Sequence, residues 1–147
     1  LNTKIFQLCI SLRETMKRNT RFENWIKPEI LNNKLTDYNW LVQNIDGLKL
    51  GYKTDIGAFT YINAMHGVHI DDYVQIGSHC SIYSVSTIDD KSGRVFLKKN
   101  CRIGSHTTIL PNVTIGENTI IGAHSLVIKS IPDNVTAFGV PARVIKK

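Results

Sequence analysis

An aliphatic residue that returns every six positions predicts an all-β chain wound as a parallel β-helix, and three observations carry that prediction. The first is the series itself: Leu50, Ile56, Ile62, then Ile70, Ile76, Ile82, then Leu97, Ile103, Ile109, Ile115, Ile121 and Val127. The second is the glycine that often follows, at Gly51, Gly57, Gly77, Gly104, Gly116 and Gly122. The third is a short residue four places on, as at Thr54, Thr60, Val74, Cys80, Ser86, Cys101, Thr107, Val113, Thr119 and Ser125. Three such rungs make one triangular coil. The aliphatic side chain points inward, the glycine permits a tight corner, and the short residue fills it.

The elements follow in order. Residues 1–47 are not repetitive and are expected to form a helical or irregular N-terminal cap. Ile5, Leu8, Cys9, Leu12 and Met16 recur at spacings of three and four, the apolar stripe of a helix, and Asn2 or Thr3 suits its start. Pro28 breaks any helix there and Asn32-Asn33 reads as a turn. Trp25, Ile26, Tyr38, Trp40 and Leu41 are expected to pack over the open end of the winding, because a bare terminal coil would expose its core and strand edges.

Residues 48–131 are the β-helix. Two extra residues separate Ile62 from Ile70, and a longer departure separates Ile82 from Leu97. Counted by threes, both interruptions follow the third side of a coil, so both should project from one corner of the prism. Insertions that share one face of a solenoid often build its binding face. Residues 132–147 form a tail in which Pro132 and Pro141 preclude a regular helix.

Composition narrows the class of function. The length of 147 residues suits one domain with a real core. No apolar stretch approaches transmembrane length, so no membrane partner is expected. Arg13, Lys17 and Arg18 after the apolar start, with no small-residue cleavage site, argue against a signal peptide. The lack of Met at position 1 points to a trimmed or partial chain. Cys9, Cys80 and Cys101 lack metal or redox spacing, and the last two sit in the small-residue slot as packing thiols, which suits a reducing cytoplasm. The net charge of +6 suits an anionic ligand such as a phosphorylated cofactor. The bases are scattered and carry no nucleic-acid motif, so no nucleic-acid partner is expected.

The run from Ile103 to Ser125 and the tail Gly139-Val-Pro-Ala-Arg-Val-Ile145 resemble the hexapeptide acyltransferases, most of all the galactoside and maltose O-acetyltransferases and related sugar N-acetyltransferases. The resemblance covers roughly the last two thirds of the chain. It implies a left-handed winding, a homotrimer, and acetyl-CoA as co-substrate in the groove between neighbouring prisms. By position it implies that Ser105 and Ala123 meet the pantetheine arm, that Ile128 and Lys129 follow as contacts, and that Arg143 and Lys146 lie near the nucleotide phosphates, with the tail completing the CoA site. Fixed cations suit a polyanionic cofactor. On the acceptor side Asn63 and Asp72 match sugar-binding positions. An amide and a carboxylate suit sugar hydroxyls or a sugar amine, and both residue types also make turns.

One departure bears on mechanism. The family's catalytic histidine falls at Thr87, which cannot serve as general base. Three explanations compete. A base comes from the same corner, where His66 and His69 lie in the lower insertion and Asp89 and Asp90 in the upper. His66 leads, with a carboxylate holding its tautomer. Alternatively the acceptor is an amine that needs no dedicated base. Third, the chain binds without catalysing. His79, His106 and His124 fill the fourth place of their rungs and should form an outward column beside cofactor or substrate. No metal site is expected there. The reading from a different class is a non-catalytic or metal-dependent β-helix protein resembling the carbonic anhydrases.

Overall fold

The computed structural model describes residues 22–146. The expected helix over Leu1 to Met16, and Cys9 with it, lies outside the described residues.

The hexad positions do what their spacing requires. Strands two or three residues long are laid one per side and stacked in parallel into three sheets. The first face stacks Leu41–Gln43, Tyr61–Asn63, Ser81–Tyr83, Thr108–Ile109 and Leu126–Val127. The second stacks Leu48–Leu50, Val68–Ile70, Val95–Leu97 and Thr114–Ile115. The third stacks Asp55–Ile56, Gln75–Ile76, Arg102–Ile103, Ile120–Ile121 and Thr136–Gly139, with Ala142–Lys146 folded back antiparallel on its end. The result is about five turns of one prism.

Register puts like on like. Ile62 pairs with Ile82, Ile82 with Ile109, and Ile109 with Val127, all fully buried. Thr60, Val74, Cys80, Cys101, Thr107, Val113, Thr119 and Ser125 fill the corners as buried short residues. Burying this aliphatic column is the main stabilising term, at about 2 kcal/mol per side chain. The burial of Cys80 and Cys101 raises both thiols, Cys101 to about 12, as befits packing groups.

The hexad glycines stand where a Cβ would be hindered, as expected. Their φ values are not left-handed; the next coil simply comes too close for a side chain. A Cβ on Gly104 would stand 2.3 Å from the backbone nitrogen of Ala123. The left-handed residue of each corner comes two places later, as Phe59, His79, His106 and His124 on one edge and Tyr73, Asn100, Asn118 and Asn134 on another. Each turns its N–H to the coil before it, His106 to Ser78 O and Asn118 to Lys99 O among them. Asn100, Asn118 and Asn134 also join side chain to side chain, at 2.7 and 3.1 Å.

The ends differ from expectation in detail. Trp40 enters the core. Trp25 instead lies at the side of the prism, donating from Nε1 to Thr54 O at 2.7 Å and standing edge-on to Tyr52, while Ile26 and Tyr38 stay exposed. The Asn33 N–H donates to Val42 O, which helps close the first strand's edge. At the other end the winding continues past Ile131, which bridges to Ile115, through Thr136–Gly139 paired with Ile120–Ile121.

Candidate functional site

Both interruptions of the repeat leave the first face and enter the second, so they share one corner as the count by threes predicts. A third joins them: the first coil turns there through Asn44 and the short 3-10 turn Ile45–Gly47. Buried Ser84 ties the corner together, donating to Asn63 O at 2.8 Å and accepting the His66 N–H at 2.9 Å. The upper insertion is an antiparallel hairpin, Val85–Ser86 against Lys91–Ser92. Thr87 sits exposed in its tip.

The candidate base and its carboxylates are placed at this corner but not as a pair. His66 is exposed in the lower turn. Asp89 is engaged within its own hairpin, accepting from Ser86 Oγ at 2.5 Å and pairing with Lys91 at 2.6 Å. Those two hydrogen bonds, with Lys91 first, hold its carboxyl below its ordinary value. Asp90 takes the left-handed turn position of the hairpin. His69 lies in neither insertion; it is the outward residue of strand Val68–Ile70, in the middle of the second face.

Asn63 belongs to a polar cluster on the first face beside the corner. It donates to Gln43 Oε1 at 3.2 Å and accepts from Asn44 Nδ2 at 3.1 Å, while Tyr61 also donates to Gln43 Oε1. The Tyr61 and Tyr83 rings stack obliquely 5.7 Å apart. Burial pushes the Tyr61 phenol up, against the bond to Asn63. Gln43, Tyr61 and Tyr83 escaped the sequence reading; their signal was the outward alternation of strand positions on either side of Val42, Ile62 and Ile82.

Asp72 stands at the opposite edge of the second face. Its Oδ1 accepts the Tyr52 N–H at 2.7 Å, as Asp133 accepts the Glu117 N–H at 2.8 Å three coils on, so the turn-forming role is real. It also lines a groove of about 370 Å³ along the second face with Lys49, His69, Asp71, Lys99 and Glu117.

Ser105 and Ala123, two of the residues matched to the acyl donor, occupy the corner between the third and first faces. Ser105 and Ala123 stack on successive coils, against Gly77 and Gly104 respectively, and His124 N–H donates to Ser105 O. Beside them runs the expected column, His79 to His106 at 4.7 Å and His106 to His124 at 4.8 Å, both pairs nearly parallel, and Phe59 extends it at 5.1 Å from His79. Rings stacked face to face do not converge their nitrogens on one point, and among the described residues no cluster of His, Cys, Asp or Glu is arranged for a metal. Ile128 and Lys129 lie across the first face, exposed just after Leu126–Val127. Arg143 and Lys146 are on the returning strand Ala142–Lys146, where Arg143 pairs with Phe138. Ser105 and Ala123 therefore lie at a different edge of the prism from Asn63 and Asp72, while Ile128 continues the column of Asn63 on the first face.

These features define a class before any relative is considered: a hexapeptide-repeat solenoid with an interrupted corner and a regular one. Residues 94–129 match the family model described as bacterial transferase hexapeptide (six repeats). It is 42% identical over 94 residues to the galactoside O-acetyltransferase of Escherichia coli strain K12, a match covering 53% of this chain and 46% of that one. The chain thus spans about half the length of that relative. Among solved structures it resembles a galactoside acetyltransferase in complex with coenzyme A (30% identity, TM-score 0.71, 80% of this chain and 64% of that one). It also resembles an N-acyltransferase from Bacillus cereus in complex with dTDP-4-amino-4,6-dideoxyglucose and coenzyme A (25% identity, TM-score 0.63, 76% and 78%). The winding is left-handed, as in these acetyltransferases.

Proposed function

We propose that this chain is the catalytic β-helix of a CoA-dependent acetyltransferase that acetylates a sugar hydroxyl or a sugar amine, nucleotide-linked acceptors included. The observation that carries the reading is the regular corner. There Ser105 and Ala123 present backbone with little side chain on successive coils, beside a wall of stacked rings. A thin extended thioester arm fits such a strip, and main-chain amides can meet its amides directly.

In this reading Ser105 and Ala123 line the pantetheine arm of acetyl-CoA, Ile128 and Lys129 extend the contact, and Arg143 and Lys146 serve the phosphates. Asn63 and Asp72 hold the acceptor. The acceptor attacks the thioester carbonyl directly, and nearby amides hold the developing oxyanion. A histidine of the second coil takes the proton: His66 at the corner, with Asp89 and Asp90 above it, or His69 on the adjoining face.

Because Ser105 and Ala123 lie on a different edge from Asn63 and Asp72, one copy's interrupted side must meet another copy's regular corner. Such a head-to-tail contact closes into a ring, and a homotrimer is the proposed assembly. Among the described residues no helix is long and apolar enough to cross a membrane, and the proposed setting is the cytoplasm.

The test is acetyl-CoA turnover, followed by release of free thiol, across amino sugars, nucleotide-linked amino sugars and simple glycosides. Acceptor-dependent release of CoA is the expected result. Release that no acceptor accelerates would refute the reading.

A further inference from the structure

The acceptor residues proposed above bracket one face of the prism. Asn63 ends the strand that precedes the second face in the second coil, and Asp72 begins the corner that follows it. A ligand touching both must lie across strand Val68–Ile70. Val68 and Ile70 of that strand are buried in the core, so the residue it offers to the ligand is His69. The groove of about 370 Å³ runs over the same strand.

Resting on the acyl-transfer reading, we propose that His69 is the catalytic base, receiving the proton of the acceptor hydroxyl or neutral amine as the nucleophile attacks the thioester. The surroundings of the ring suit that task. In register with it stand Lys49 below and Phe96 above. Phe96 meets the imidazole edge-to-face at 4.9 Å and 81°, which limits its rotation. Arg94, at the entry to the strand of Phe96, and Asp71, at the corner, complete the charged groups that act on it. Burial pushes the imidazole below its ordinary value, Lys49 and Arg94 push the same way, and Asp71 opposes them. The ring is thereby neutral at pH 7, with a nitrogen free to accept a proton.

The step balances without a further reactant. The acceptor O–H or N–H proton passes to the imidazole, and the acceptor oxygen or nitrogen bonds to the thioester carbonyl carbon. The C–S bond then breaks, and the CoA thiolate leaves and takes the proton back from the imidazolium. His69 thus supplies on the face what Thr87 cannot supply at the hairpin tip. His66, one turn earlier, spends its backbone N–H on Ser84 and holds its ring outside the groove lining.

The experiment compares the wild-type protein with His69→Asn and His69→Gln, measuring kcat/KM against pH with the acceptor found by the turnover screen, and the melting temperature of each. Both His69 variants keep a polar group at an outward position, so unchanged melting is expected. Their kcat/KM should fall about 100-fold. The wild-type loss of rate on acidification, centred below 6.5, should vanish in both.

Full activity with an unchanged acid limb in the His69 variants would overturn the proposal and leave acyl transfer standing. So would a loss of rate with that limb intact, since His69 would then only shape the groove. A wild-type protein that releases no CoA with any acceptor would overturn both.

Discussion

The interrupted corner and the regular corner turn the same chain through the same angle by different means. At the regular one, between the third and first faces, glycine appears because Gly104 has Ala123 backbone against it, and the left-handed place goes to histidine or phenylalanine. At the interrupted one Gly67 takes φ +104 itself, with only the flexible Arg94 side chain nearby. The regular corner is thus fixed by neighbouring coils, which leave little free beyond its ring column. The interrupted corner is held by side-chain bonds through Ser84 to the coil before it, which leave His66 and the hairpin exposed.

Two alanine substitutions probe that contrast most strongly. Gly104→Ala drives a methyl group into backbone that cannot yield and should cost about 3 kcal/mol of unfolding free energy. Gly67→Ala meets mainly φ strain and a movable side chain and should cost about 1 kcal/mol. Urea denaturation of the two reads the difference; equal costs, or the reverse order, would break the distinction between the corners.

The core thiol gives a smaller effect, confined to alkaline pH. Cys101 stays protonated in the fold up to about 12, against an ordinary value of 9.0. Above pH 9 the unfolded chain loses that proton and the folded chain keeps it, so stability is full below 9 and falls as pH rises toward 12. The slope is about 1.4 kcal/mol per pH unit. Cys101→Ala should start less stable and lose less over that window, measured by melting temperature at stepped pH.

Much of the winding was legible because a period of six with buried aliphatics has few structural solutions. The shared corner of the two insertions followed from counting alone. Val42 and the turn at Asn44–Gly47 were missed because Leu41-Val-Gln-Asn precedes any glycine-marked rung. Phe59, Tyr73 and Lys53 in left-handed conformation were illegible too, since these residues do not advertise it. The site was harder. Asn63 and Asp72 could be named by resemblance, but their separation across the second face depends on register. His69 read as part of an insertion until the pairing with Lys49 and Phe96 made it the outward centre of a strand.

Asp72 and Asp133 allow the most direct test, because they do the same structural work at one corner, three coils apart. Each carboxylate accepts one backbone N–H from the coil before it, at 2.7 and 2.8 Å. Asp72 also lines the groove beside His69; Asp133 does not. The decisive measurement is acceptor KM alongside melting temperature for Asp72→Ala and Asp133→Ala. The two should lose similar stability, about 1 kcal/mol each, while only Asp72→Ala raises acceptor KM, by about tenfold. Equal KM in both variants would contradict the assignment of the second face as the acceptor side.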